Sequence, residues 1–126
     1  MANTRATIGD QATLDGLVSN TLETLEEDGL TAVPNSCLRY NTGIKKVILP
    51  SATSIGSYGF ANCTNLEEVD LGTSVSSINS NCFNGATKLE SLILRNTSAM
   101  VSLSNINAFT GTAIQALNGI VYVPNT

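Results

Sequence analysis

The amino-acid sequence predicts an α/β solenoid of about four short rungs, with a parallel β-sheet on one face and short helical or 3-10 turns on the other. Three observations lead there. The stretch TSIGSYGFANCTNLEEV at 53–69 returns 23 residues later as SSINSNCFNGATKLESL, with seven of seventeen positions identical. Within each copy an apolar-x-apolar triplet alternates with period two, which is the pattern of a strand with one covered face. A unit of 23 residues is also too small to bury its own apolar side chains. Stacked units succeed because each rung covers the next.

Residues 1–20 stand outside the repeat and form an N-terminal cap or anchor segment, followed by a repeat domain over 21–126. In TIGDQATLDGLVSNTLETLEEDG the apolar residues Leu14, Leu17 and Val18, then Leu22 and Leu25, fall close to helical spacing. Asp10 or Thr13 suits the N-cap. The segment either covers the first rung or docks the chain on a larger assembly, and the sequence leaves both open.

The repeat domain aligns in four columns. The first runs Val33, Ile55, Ile78, Leu103, the second Leu38, Phe60, Phe83, Phe109, and the third Ile44, Leu66, Leu89, Ile114. The strand triplets are Val47/Leu49, Val69/Leu71, Leu92/Leu94 and Val121/Val123, the last delayed by an insertion around QALNGI. Each unit therefore holds one short strand, a turn and a compact segment around the Phe. GSYGFANCTNL is too short and polar for a sustained helix, so a single helical or 3-10 turn is expected there. Gly59, Ala61 and Cys63 align with Cys82, Asn84 and Ala86. Backbones passing about 5 Å apart leave no room for large side chains at such positions.

Composition excludes several classes of function. The chain has 126 residues, a net charge of −4, 13% charged residues and no histidine. Ser, Thr and Asn fill 42 positions, so the surface is built from hydroxyls and amides. The six basic residues are scattered, which provides no electrostatic footprint for nucleic acid. No apolar run reaches membrane-spanning length, and the N-terminus lacks the apolar core of a secretory signal. Cys37, Cys63 and Cys82 hold no metal-ligand spacing. Cys37 and Cys82 share a column two rungs apart, roughly 10 Å, beyond the ~7 Å Cα limit for a disulfide. All three are expected as thiols, mostly as small buried hydrophobes.

VILPSATSIGSYGFANCTNLEEVDLGTSVSSINSNCFNGATKLESLIL resembles the BspA-like leucine-rich repeat family. Ile55-Gly56, Phe60, Cys63 and Leu66 occupy the motif positions, whereas Leu38, Asn41 and Ala86 depart from it. The tail LILRNTSAMVSLSNINAFTGTAIQALNGIVYVPNT is similar to C-terminal units of such proteins from gut Firmicutes and their phages. There the YVP strand leads into a helical segment, which this sequence lacks.

Chemistry is scarce. Without histidine, the Ser-His-Asp and Cys-His arrangements are unavailable. GSYG at 56–59 lacks the spacing of a nucleophile elbow. Glu67, Glu68, Asp70 and Glu90 fall at adjacent strand ends and are expected as a solvated edge. EEDG at 26–29 lacks the alternating ligands of a calcium loop and is expected as a turn. No catalytic residue, cofactor or metal site is expected.

What remains is a surface. Outward strand positions line up as Lys46 and Ile48, Glu68 and Asp70, Ser91 and Ile93, then Tyr122. The strand face is a common recognition surface in solenoids, and this strip mixes isoleucine, tyrosine and charge. Loops around Asn96, Asn105 and Asn107 are a second candidate, suited to carbohydrate. The resemblance points to a non-enzymatic bacteriophage virion module: a decoration, fibre or tail-associated protein. Its partners would be other virion proteins or its own copies in a homo-oligomer, joined through the open edge at Val121–Val123. Host surface protein or glycan would meet the sheet face. The alternative is a fragment of a bacterial cell-surface adhesin.

Overall fold

The computed structural model describes residues 11–95, 102–103, 106–113 and 120–122, with side chains over 15–95 and 107–113. The expected positions Asn96, Asn105, Ile114 and Val123 lie outside the described residues. One helix, α1 (Gln11–Val18), precedes nine short strands: β1 (Thr24–Glu26), β2 (Ala32–Val33), β3 (Lys46–Ile48), β4 (Ser54–Ile55), β5 (Glu68–Asp70), β6 (Ser77–Ile78), β7 (Ser91–Ile93), β8 (Ser102–Leu103) and β9 (Ile120–Tyr122). The chain is a solenoid of parallel sheets with little helix.

The strands form two parallel sheets. One has the order β1-β3-β5-β7-β9, the other β2-β4-β6-β8. The strand column of the sequence is realised as Val47 paired with Val69, Val69 with Leu92 and Leu92 with Val121. The isoleucine column is realised too, as Val33 with Ile55, Ile55 with Ile78 and Ile78 with Leu103. It carries its own two-residue strands, so a rung has two strands where one was expected.

The helix is shorter than the leucine spacing suggests. It stops at Val18, and the Gly16 carbonyl accepts from the N–H groups of both Thr21 and Leu22. Asn20 takes the left-handed conformation common just past a helix end, with φ 60. Leu25 therefore sits in β1, paired with Val47, and adds a leading strand to the first sheet. Thr13 lies inside α1 and is not its cap.

The core is one continuous aliphatic stack. Val47, Val69 and Leu92 are buried, as are Leu49, Leu71 and Leu94 and the column Ile44, Leu66, Leu89. Phe60 and Phe83 are fully buried, with ring centroids 5.4 Å apart and planes within 4°. Phe109 continues the stack at 5.5 Å. Cys63 and Cys82 are buried, Cys37 is half-buried, and none is disulfide-bonded. Burial pushes the Cys82 thiol well above its ordinary pKa.

The third side is built differently from the helical turns expected. Only the last rung has a 3-10 helix, Ile106–Phe109. In the others, alternate amides point in two directions. Cys37, Arg39 and Asn41 donate back to Pro34, Ser36 and Leu38, closing tight turns. Ser36, Leu38 and Tyr40 donate forward to Ser57, Gly59 and Ala61 of the next rung. The same forward ladder links Tyr58, Phe60 and Asn62 to Ser80, Cys82 and Asn84. Left-handed residues two before and two after the central side chain produce this: Ser36 and Tyr40, Tyr58 and Asn62, Asn81 and Gly85. Such interruptions forbid a helix and turn every second amide toward the neighbour.

Candidate functional site

The outward strip of the first sheet is assembled by register. Thr24, Lys46, Glu68, Ser91 and Ile120 form one column, and Glu26, Ile48, Asp70, Ile93 and Tyr122 the other. Lys46 is exposed, whereas Ile48, Glu68, Asp70, Ser91 and Ile93 are half-buried by their neighbours along the columns. Tyr122 is placed by its backbone, in register with Ile93. The structure thus brings all seven strip positions onto one sheet. Sequence reasoning missed Thr24 and Glu26. The signal was present, because Leu25 lies 22 residues before Val47, the spacing of the repeat.

Two ion pairs run between rungs. Lys46 Nζ lies 2.9 Å from Glu68 Oε2, which raises the lysine pKa. Arg95 donates from Nε and Nη2 to the two Asp70 carboxylate oxygens, at 3.1 and 2.9 Å. That pairing holds the Asp70 carboxyl below its ordinary range, with help from the Gly72 N–H. Because the folded pKa is lowered, the stabilisation is complete above the ordinary carboxylate pKa and lost as pH falls through the lowered value. The arginine is half-exposed, so the contribution is at most about 1 kcal/mol. Wild type should therefore lose up to ~1 kcal/mol more than Asp70→Asn between roughly pH 5 and pH 2 in denaturant melts. Equal acid slopes would contradict the pairing.

At the N-terminal end, Leu17 is fully buried and Val18 is 62% exposed. Adjacent helical residues point about 100° apart, so the two cannot share one docking face. Val18 is thus corrected from the buried side to the solvent side. Asn41 takes the place of the motif cysteine in the first full unit. It is buried, donates from Nδ2 to the Leu17 carbonyl at 2.8 Å and accepts from the Gly43 and Ile44 amides. A side chain that bridges α1 and the rung explains the departure from cysteine.

A second constellation lies on the turn side and went unnoticed in the sequence. The Arg39 guanidinium carbon sits 4.8 Å from the Tyr40 ring centroid and 4.4 Å from that of Tyr58. Residues 22 apart, on different rungs, make this cluster, and only the repeat register reveals it.

Among the described residues no three metal-capable side chains come together, and no helix is long and apolar enough to cross a membrane. EEDG contributes Glu26 to β1 and a turn at 28–29.

A short solenoid with a parallel strand face and stacked phenylalanines defines a leucine-rich repeat protein. The family description "BspA type Leucine rich repeat region (6 copies)" matches residues 19–121, and the chain belongs to that family. Neither the curated proteins nor the solved structures contain a match to it. Repeats of this type serve as protein-binding or adhesin-like modules, and leucine-rich solenoids are typically binding scaffolds.

Proposed function

We propose that this chain is a non-enzymatic recognition module that engages a protein partner through the outward face of its five-stranded sheet. The observation that supports this most is the placement of Ile48 and Ile93 in one outward column with Asp70 between them. Apolar anchors beside fixed charges suit a specific contact better than a purely solvated face. The rungs pair their own charges across the strip, so Ile48 and Ile93 are left as its anchors. α1, docked by Leu17 and Asn41, serves as the cap of the first rung in this account.

The assembly it serves is a bacteriophage virion, where it acts as a decoration, fibre or tail-associated protein. The similarity of its C-terminal unit to phage-borne members of the family supports that setting. A bacterial cell-surface adhesin is the second reading, favoured by the family match itself. Flanking capsid or tail genes would support the first, and a wall-anchored neighbour the second.

A photo-crosslinking residue at position 93, introduced in the producing organism or particle, tests the face. We expect one dominant protein adduct from position 93 and none from Ser76, which is exposed beside the other sheet. Equal adducts from both positions, or none from 93, would overturn the proposal.

A further inference from the structure

We propose that Arg39, Tyr40 and Tyr58 form a second binding site, on the turn side, for a carboxylated saccharide. It lies apart from the sheet face and does not depend on the role given to that face.

Three features of the cluster are unfavourable for stability alone. Tyr40 and Tyr58 hold left-handed backbone, with φ 65 and 59. Side chains with a Cβ resist that conformation, and bulky residues resist it most. Tyr40 is 62% exposed, although it is a large aromatic residue. The Arg39 Nε is buried without a hydrogen-bond partner. A chain selected only for stability would place Asn or Gly at these turns, as it does at Asn62, Asn81 and Gly85 in the equivalent columns.

The charge pattern points the same way. Lys45 pairs with Glu23, Lys46 with Glu68 and Arg95 with Asp70, and Lys88 donates to Asn65. Among the described residues no carboxylate pairs with Arg39. Its flat faces are occupied by two rings, which leaves the terminal edge of the fork for a ligand. That edge matches a carboxylate, which accepts two parallel N–H bonds. The exposed Tyr40 ring beside it offers a platform for the C–H face of a sugar. Ser36 and Ser57 on the same turns supply hydroxyl groups in place of competing charges. An acidic peptide shares the carboxylate but has no flat ring to lie on Tyr40, so the saccharide is the better fit.

The test uses the full chain, tetragalacturonate, its fully methyl-esterified counterpart and a hexaglutamate peptide, followed by NMR amide shifts. We expect tetragalacturonate to shift amides at 36–40 and 57–59 in a saturable way. Esterification and Arg39→Lys should each weaken it at least tenfold, because both destroy the two-bond fork. Tyr40→Asn is the discriminating variant. Asparagine tolerates the left-handed turn, so its melting temperature should equal or exceed wild type while binding falls at least tenfold. Absence of saturable binding, equal binding of the ester, shifts on the sheet face, or a hexaglutamate that binds as tightly would each overturn the site. So would a Tyr40→Asn variant that binds like wild type.

Discussion

Phe83→Ala lowers the free energy of unfolding by about 3–5 kcal/mol. The ring is fully buried and stacked on both sides, against Phe60 at 5.4 Å and Phe109 at 5.5 Å. Its removal opens a cavity between two rungs and strips one face from each neighbouring ring. Little can move in to fill the space, because the forward hydrogen bonds of Phe60 to Cys82 and Phe83 to Ala108 fix the rung spacing. A domain of this size has a total stability of roughly 5–15 kcal/mol, so the loss is a large fraction. Phe109→Ala should cost less, because that ring is only half-buried and stacks on one described ring. Urea melts of the two variants check the order. Equal losses, or a Phe83→Ala loss under about 1 kcal/mol, would mean that the stack is not the core of the structure.

Gly72→Ala is expected to cost about 2–4 kcal/mol for a different reason. Gly72 turns the corner after β5 with φ 76, a conformation that a side chain resists. A Cβ placed there would also overlap the carbonyl oxygen of Pro50, one rung back. Backbone cannot yield as a side-chain tip does, and the Gly72 carbonyl is further held by the Arg95 amide at 2.8 Å. Gly29→Ala is the matched control. It has open space around the added methyl and no left-handed requirement. It should change stability by less than about 1 kcal/mol, in either direction. Thermal melts of both variants separate crowding at the rung corner from a general cost of losing glycine.

Much of this fold was legible because the core is a set of columns. A repeat in the sequence is a repeat in space, so the matches of Ile55 to Ile78 and Phe60 to Phe83 became pairings directly. What escaped the sequence was decided elsewhere. The boundary after Val18 depends on the left-handed Asn20 and on Leu25 finding a partner in Val47, so tertiary pairing overrode helical spacing. The turn side escaped because its left-handed residues are chemically unlike: Ser36, Tyr58 and Asn81 share a column but no side-chain type. Backbone geometry there follows from the ladder to the next rung rather than from local preference. The strip on the first sheet was found from alternation alone, except for Thr24 and Glu26, which belong to a strand mistaken for helix. The Arg39 cluster was hidden because it spans two rungs and has no recurring motif.

The account rests on rungs that hold one another in place on every side, including the turns. Native-state hydrogen exchange measures this directly. The amides of Leu38, Phe60 and Phe83 donate to Gly59, Cys82 and Ala108, while those of Leu49 and Leu71 donate to Asp70 and Ile93. The account predicts that all five exchange through one shared opening of similar free energy. If Phe60 and Phe83 exchanged like the amides of a free turn while Leu49 and Leu71 stayed protected, the turn ladder would not hold the stack and the account would be contradicted.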